Sequence, residues 1–69
     1  MYQSWPNRKL FFLARTMRKD KIFDQVYVNH QGFTVVRRTG EKQRKTIKNR
    51  GDLHTVSGVD IAEYERIHH

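Results

Sequence analysis

Apolar and polar positions along this 69-residue chain change their spacing from one stretch to the next. Leu10, Leu13, Ala14 and Met17 recur at i, i+3, i+4 and i+7, which is the spacing of one helical face. They predict a helix over residues 6–19. Pro6 suits a first turn, where no intrahelical donor is needed, and Ser4 or Asn7 can cap it. Arg8, Phe12, Arg15 and Lys19 then line the opposite side as a basic stripe with one aromatic in it. The competing reading is a strand through Leu10-Phe11-Phe12-Leu13; the spacing favours the helix. Residues 22–29 alternate instead, with Ile22, Val26 and Val28 on one side and Phe23, Gln25 and Tyr27 on the other. This predicts a strand.

Asn29-His30-Gln31-Gly32 reads as a turn, residues 33–38 as a second, β-branched strand, and residues 44–48 as a third around Ile47. Between the last two, Gly40-Glu41 suits a two-residue type II′ loop, with glycine first. That loop sets Arg37 against Arg44, Val35 against Thr46 and Phe33 against Lys48, and one sheet face gathers Arg37, Lys42, Arg44 and Lys48. Asn49-Arg50-Gly51-Asp52 breaks the pattern. Ser57-Gly58-Val59-Asp60 reads as a capping box with Asp in place of Glu or Gln. It opens a short helix with Ile61, Tyr64 and Ile67 on its apolar side and Asp60 and Glu63 near its positive end. Residues 66–69 are expected to fray. The fold class is therefore α+β, one domain over residues 1–69: a small antiparallel sheet of about three strands, an N-terminal helix and a short C-terminal helix. Its expected core is Leu10, Leu13, Val26, Val28, Val35, Val36, Ile47, Ile61 and Tyr64.

Composition limits what can hold this fold together. Apolar residues make up 36% of the chain and there is no cysteine, so neither a disulfide nor a Cys-based zinc site can support the core. A domain of this size buries only roughly 60% of the surface its unfolded chain exposes. The longest apolar run is the five residues Leu10-Phe11-Phe12-Leu13-Ala14, where a membrane span needs about 20. No membrane partner is expected, no secretory signal is read, and the expected location is cytoplasmic.

Charge sharpens the picture most. Lys and Arg number 14 against seven Asp and Glu, a net of +7. Residues 1–51 hold thirteen of the cations and three carboxylates, a net of +10; residues 52–69 hold Arg66 against Asp52, Asp60, Glu63 and Glu65, a net of −3. Such self-repulsion is tolerable where an anion relieves it. Residues 37–50 are densest, with Arg37, Arg38, Lys42, Arg44, Lys45, Lys48 and Arg50 opposed by Glu41 alone. Cations spaced along a twisted ribbon can track phosphates, at an affinity that falls with salt. Trp5, Phe11, Phe12, Phe23, Tyr27 and Phe33 interleave with them. In so short a chain most of these rings are expected in the core, with Phe12 and Tyr27 exposed.

Catalytic chemistry is not legible. His30, in a turn, and His54, in a loop, lack metal-pair spacing, as do His68 and His69. No phosphate loop, nucleophile elbow or paired-carboxylate arrangement is read, and neither a cofactor nor a metal is expected. Gly32-Phe33-Thr34-Val35-Val36-Arg37-Arg38-Thr39-Gly40 resembles the central stretch of the small messenger-RNA-cleaving toxins of HicA type. That resemblance covers nine residues and implies a double-stranded-RNA-binding-like fold and contact with RNA. Where the family carries a Ser-His pair this chain has Glu41 and Lys42, so the resemblance does not imply cleavage.

The sequence thus leads to a non-catalytic nucleic-acid-binding protein, for DNA or RNA alike. Arg37, Arg38, Lys42, Arg44, Lys45, Lys48 and Arg50 are expected to hold phosphates, helped by Arg8, Arg15 and Lys19. Contacts of this kind position a protein without specifying sequence. The alternative is a small, phage-like regulatory or inhibitory protein docking on an acidic protein surface, anchored by Trp5, Phe12 or Tyr27. Both readings expect the cations of residues 1–51 to converge on a shared surface.

Overall fold

Two backbone periodicities, 3.6 in the N-terminal third and 2.0 in the centre, become a helix laid across a sheet. The computed structural model describes residues 7–68, the side chain of Asn7 apart. The expectations for Ser4, Trp5, Pro6 and His69 lie outside these residues. The elements are α1 (Asn7–Lys19), β1 (Phe23–Val28), β2 (Thr34–Arg38), β3 (Arg44–Ile47), α2 (Arg50–Ser57) and α3 (Ile61–Ile67). The strands form an antiparallel sheet in the order β1-β2-β3. The fold is α+β.

Leu10, Leu13, Ala14 and Met17 are buried as the face of α1 that meets the sheet. The helix ends in a Schellman motif, with Ile22 N–H donating to Met17 C=O and Lys21 N–H to Arg18 C=O. Lys21 takes the left-handed position there, at φ 65°, a conformation that glycine adopts at lower cost. Asn29 then shapes the β1–β2 turn, its side chain accepting from both Gln31 and Phe33 N–H. Glu41 N–H donates to Arg38 C=O, and Gly40 stands third in that turn at φ 88°. This is the position where a type II turn requires glycine, so the expected type II′ loop is corrected. The expected register nevertheless holds: Val35 pairs with Thr46 and Arg37 with Arg44.

The break at residues 49–52 is a helix start. Asn49 is the N-cap of α2 and accepts from Asp52 N–H, while Asp52 accepts from Lys48 N–H. Leu53 from this helix is fully buried. Gly58, at φ 71°, closes α2 through its N–H to His54 C=O. The expected capping box at Ser57 shifts three residues: Asp60 is the N-cap of α3 and accepts from Glu63 N–H, while Ser57 Oγ accepts from Val59 N–H. Beyond Arg66, where fraying was expected, α3 runs on to Ile67. His68 Nε2 lies 3.1 Å from Asp20, which also accepts from the Tyr64 hydroxyl.

The buried cluster joins Leu10, Leu13, Ala14 and Met17 of α1 to Phe23, Val36 and Ile47 of the sheet, Leu53 of α2, and Ile61 and Tyr64 of α3. Three expectations change. Val28 is 48% exposed at the end of β1; Val26 is only partly buried against the cluster; and Val35 is buried, yet outside the cluster. Val35 alternates with Val36, so it belongs to the other face of the sheet.

Two outcomes follow for stability. Leu53→Ala should cost about 2–5 kcal/mol in urea unfolding, because it empties the centre of a small core. Val28→Ala should cost less than about 1 kcal/mol. Burial, and then the bond to Asp20, holds the Tyr64 hydroxyl well above its usual 10.0. A phenol raised on folding contributes stability that is complete below the unfolded value and is lost as pH rises beyond it. Unfolding free energy should therefore fall as pH rises above about 10, and Tyr64→Phe should flatten that fall.

Candidate functional site

Alternation assigns every paired residue of the sheet to one of two faces. The face that meets the helices carries Phe23, Val26, Val36 and Ile47. The register puts Gln25, Tyr27, Val35, Arg37, Arg44 and Thr46 on the other. Phe33 and Lys48 lie just beyond the last β2–β3 pair and meet there, with Lys48 Nζ 5.4 Å from the centre of the Phe33 ring. Among the described residues, no helical side chain of the core cluster reaches this face.

Arg37 and Arg44 stand directly opposite each other, a like-charge pair that disfavours the folded sheet. Both resolve it by leaning toward β1. Arg37 holds Asp24 with two bonds, Nε to Oδ1 at 2.8 Å and Nη2 to Oδ2 at 3.1 Å. Arg44 Nε donates to Gln25 Oε1 at 3.1 Å. A bulge between Phe23 and Gln25 gives Asp24 its position. The bond from Arg37 holds the Asp24 carboxyl below the usual 3.8; burial opposes this, and the charges of Arg37 and Arg18 add to it.

The expected cations do not all converge. Arg37, Arg44 and Lys48 come together. Lys42 lies beyond the last paired residues, in the turn, and is exposed with Lys45. Lys45 pairs with Val36 and so lies on the helix side of an edge strand. Arg38 is committed to the fold: its guanidinium donates to Ser57 C=O at 2.8 Å and Val56 C=O at 3.4 Å. There it answers the negative end of α2. Arg50 opens α2, beside a depression of about 280 Å³ lined also by Gly51, His54, Asp60 and Ile61.

On α1, Arg8 and Arg15 lie opposite the buried face and point away from the sheet, which corrects the expectation of a single basic surface. Lys19 stands nearer the sheet. It lines a depression of about 310 Å³ with Arg18, Lys21, Phe23, Asp24 and Thr39. Sequence reading missed Arg18 and Lys21 here because neither falls on the stripe of Arg8, Arg15 and Lys19. The run of cations through residues 18–21 was the signal available.

Phe12 and Tyr27 are exposed as expected, at 71% and 41%. The expectation for the other rings is overturned in part. Among the described residues only Phe23 and Tyr64 belong to the core cluster, and Phe11 and Phe33 are half-buried. Phe12 also lines a groove of about 500 Å³ between α1 and α3, with Arg8, Lys9, Leu13, Thr16, Glu65 and His68. His54 belongs to α2, not to a loop, and its Nδ1 lies 2.8 Å from Val59 C=O. Among the described residues no group of three His, Cys, Asp or Glu side chains is placed to hold a metal, and no helix is long and apolar enough to cross a membrane. No protein-family model, curated protein or solved structure matches the chain.

A carboxyl depressed on folding stabilises the fold above its unfolded value, and that contribution is lost as pH falls through its folded value. Followed by carbon-detected NMR, Asp24 should titrate below 3.8. Arg37→Gln should return it toward that value; an unchanged midpoint would remove Arg37 as the cause.

Proposed function

We propose that this protein binds nucleic acid without catalysis, through phosphate contacts centred on the helix-free face of its sheet. One observation carries the reading: the β2–β3 register sets Arg37 against Arg44, and Lys48 follows just past β3 with its Nζ over the Phe33 ring, on a face whose paired carboxylate is Asp24 alone among the described residues. Like charges opposed across a sheet weaken it unless an anion screens them. Lys19, Arg18 and Lys21 stand beside Asp24 and extend the basic track past the end of β1. Phosphates laid along such a track release counterions, and this release drives binding.

Helices α2 and α3 are joined by three residues that include Gly58, as in a helix-turn-helix. The second helix carries Glu63 and Glu65 against Arg66, which is the wrong charge for a groove lined by phosphates. The sheet face is thus the better supported element.

A second reading, docking on an acidic protein surface, is favoured by the groove between α1 and α3. Exposed Phe12 stands there beside Arg8 and Lys9, and an aromatic anchor amid cations is what such a partner would engage. Glu65 lines the same groove and pairs with Lys9 at 3.6 Å, which lowers its attraction for an acidic surface.

Fluorescence anisotropy with labelled 20-mers across a salt series tests the first reading. Three neutralised phosphates predict a log–log slope of about −2 to −3. Arg44→Glu with Lys48→Glu should weaken binding at least tenfold at low salt and reduce the slope by about 2. Arg8→Glu with Arg15→Glu should weaken it less. Nuclease-resistant capture of one acidic protein, with no oligonucleotide bound, would move the function to the second reading.

A further inference from the structure

Tyr27 and Phe33 lie outside the core cluster, on the side of the sheet away from it. Tyr27 pairs with Val35, and Phe33 is two residues from Val35 on the same face, so the two rings are diagonal neighbours across β1 and β2. Diagonal neighbours of this kind are about 7–8 Å apart, within reach of aromatic side chains. Val35 beside them is 6% exposed and lies outside the core cluster. A chain poor in apolar residues has placed two rings and a valine on the side away from its core.

The cations of the same face surround these rings. Lys48 stands over Phe33, with Arg44 and Arg37 further along β3 and β2. Aromatic faces that stack bases, set among cations that hold phosphates, are the two components of single-strand recognition. A duplex keeps its base faces inside its own stack and would engage only the cations. A second copy of this chain, related by a two-fold axis, would bring Arg37, Arg44 and Lys48 up against the same cations.

We infer that the helix-free sheet face binds a single-stranded nucleic acid, with unpaired bases stacked on Tyr27 and Phe33 and phosphates held by Arg44, Lys48 and Arg37. This rests on the nucleic-acid reading above and specifies the ligand of the same site. The flexible stem of Lys48 lets it swing to a phosphate and bare the Phe33 ring. Arg37 shares its guanidinium between Asp24 and the incoming strand. Stacking carries no base code, so the face accepts many sequences.

Four labelled probes of equal length separate the possibilities at low salt: U12, dT12, an abasic 12-mer with the same phosphates, and a 12-base-pair duplex. U12 and dT12 should bind at least fivefold tighter than the abasic strand and the duplex. Tyr27→Leu and Phe33→Leu, checked for folding by circular dichroism, should each weaken U12 roughly 5- to 100-fold and leave the abasic strand unchanged. Wild-type protein gives a readout that needs no variant: Tyr27 and Phe33 ring protons should shift upfield with U12 and not with the abasic strand. Equal affinity for U12 and the abasic strand, or ring protons indifferent to U12, overturns the stacking inference while the phosphate-binding reading stands. Binding to none of the four probes overturns both.

Discussion

A three-stranded sheet has two faces, and the helices among the described residues cover one. Val36 and Ile47 are fully buried because α1, α2 and α3 bring Leu10, Met17, Leu53 and Tyr64 to one side. Once Val36 is inside, alternation sends Val35 and Arg37 outside, and pairing sends Arg44 and Thr46 with them. A slip of one residue would drive Arg37 into the core in place of Val36. The burial of a few aliphatic side chains therefore determines which cations share a surface.

The carboxylates show how the remaining charge is distributed. Glu65 of α3 pairs with Lys9 of α1, and Asp20 at the end of α1 takes the Tyr64 hydroxyl and lies beside His68. Glu63 pairs with Arg66 within α3, while Asp52 and Asp60 serve the helix starts. The acidic C-terminal stretch thus acts on α1, on itself and, through Asp52, on the backbone between β3 and α2. Among the described residues the carboxylate paired with a cation of the sheet face is Asp24. Part of the cation excess on α1 is answered inside the fold, whereas among the described residues the side chains of Arg44 and Lys48 meet a neutral amide and a ring. This asymmetry favours the sheet over the helix stripe as the anion-facing surface.

Much of this was legible because periodicity and register are local. The four apolar positions of α1, the alternation of β2 and the Arg37–Arg44 pairing all follow from spacing within a dozen residues; the alternation expected for β1 does not hold throughout, because the bulge at Asp24 turns Phe23 to the side of Val26 and into the core. Helix α2 was not legible. It is eight residues long with Gly51 inside it, and its stability comes from Leu53 reaching a core assembled by distant elements and from the Asn49 and Asp52 side chains. Glycine 40 was placed in the correct turn but at the wrong position, since the choice between turn types depends on strand twist. Arg38 looked like one more phosphate ligand; its task became visible only when folding brought the end of α2 within 2.8 Å of its guanidinium. Likewise, alternation alone does not say which side of a sheet the helices will cover, so Val35 reads as core; Val28 is on the helix side but stands at the end of β1, beyond the reach of the core.

The like-charge pair at the centre of the site has a further consequence. Two long guanidinium side chains left free would each lose about 2 kcal/mol of rotamer freedom on gripping a phosphate. Here each is already drawn across the face toward β1, Arg37 by Asp24 and Arg44 by Gln25. Attraction to β1 holds both heads extended over the same surface. Part of the ordering cost of binding is thereby met in the fold. Asp24 also competes with any incoming phosphate for Arg37, so it lowers intrinsic affinity while fixing geometry. Gln25 holds Arg44 with no such charge competition. If the face binds phosphate as proposed, Arg44 is the stronger ligand of the two, since a neutral amide orients it and no carboxylate competes for it.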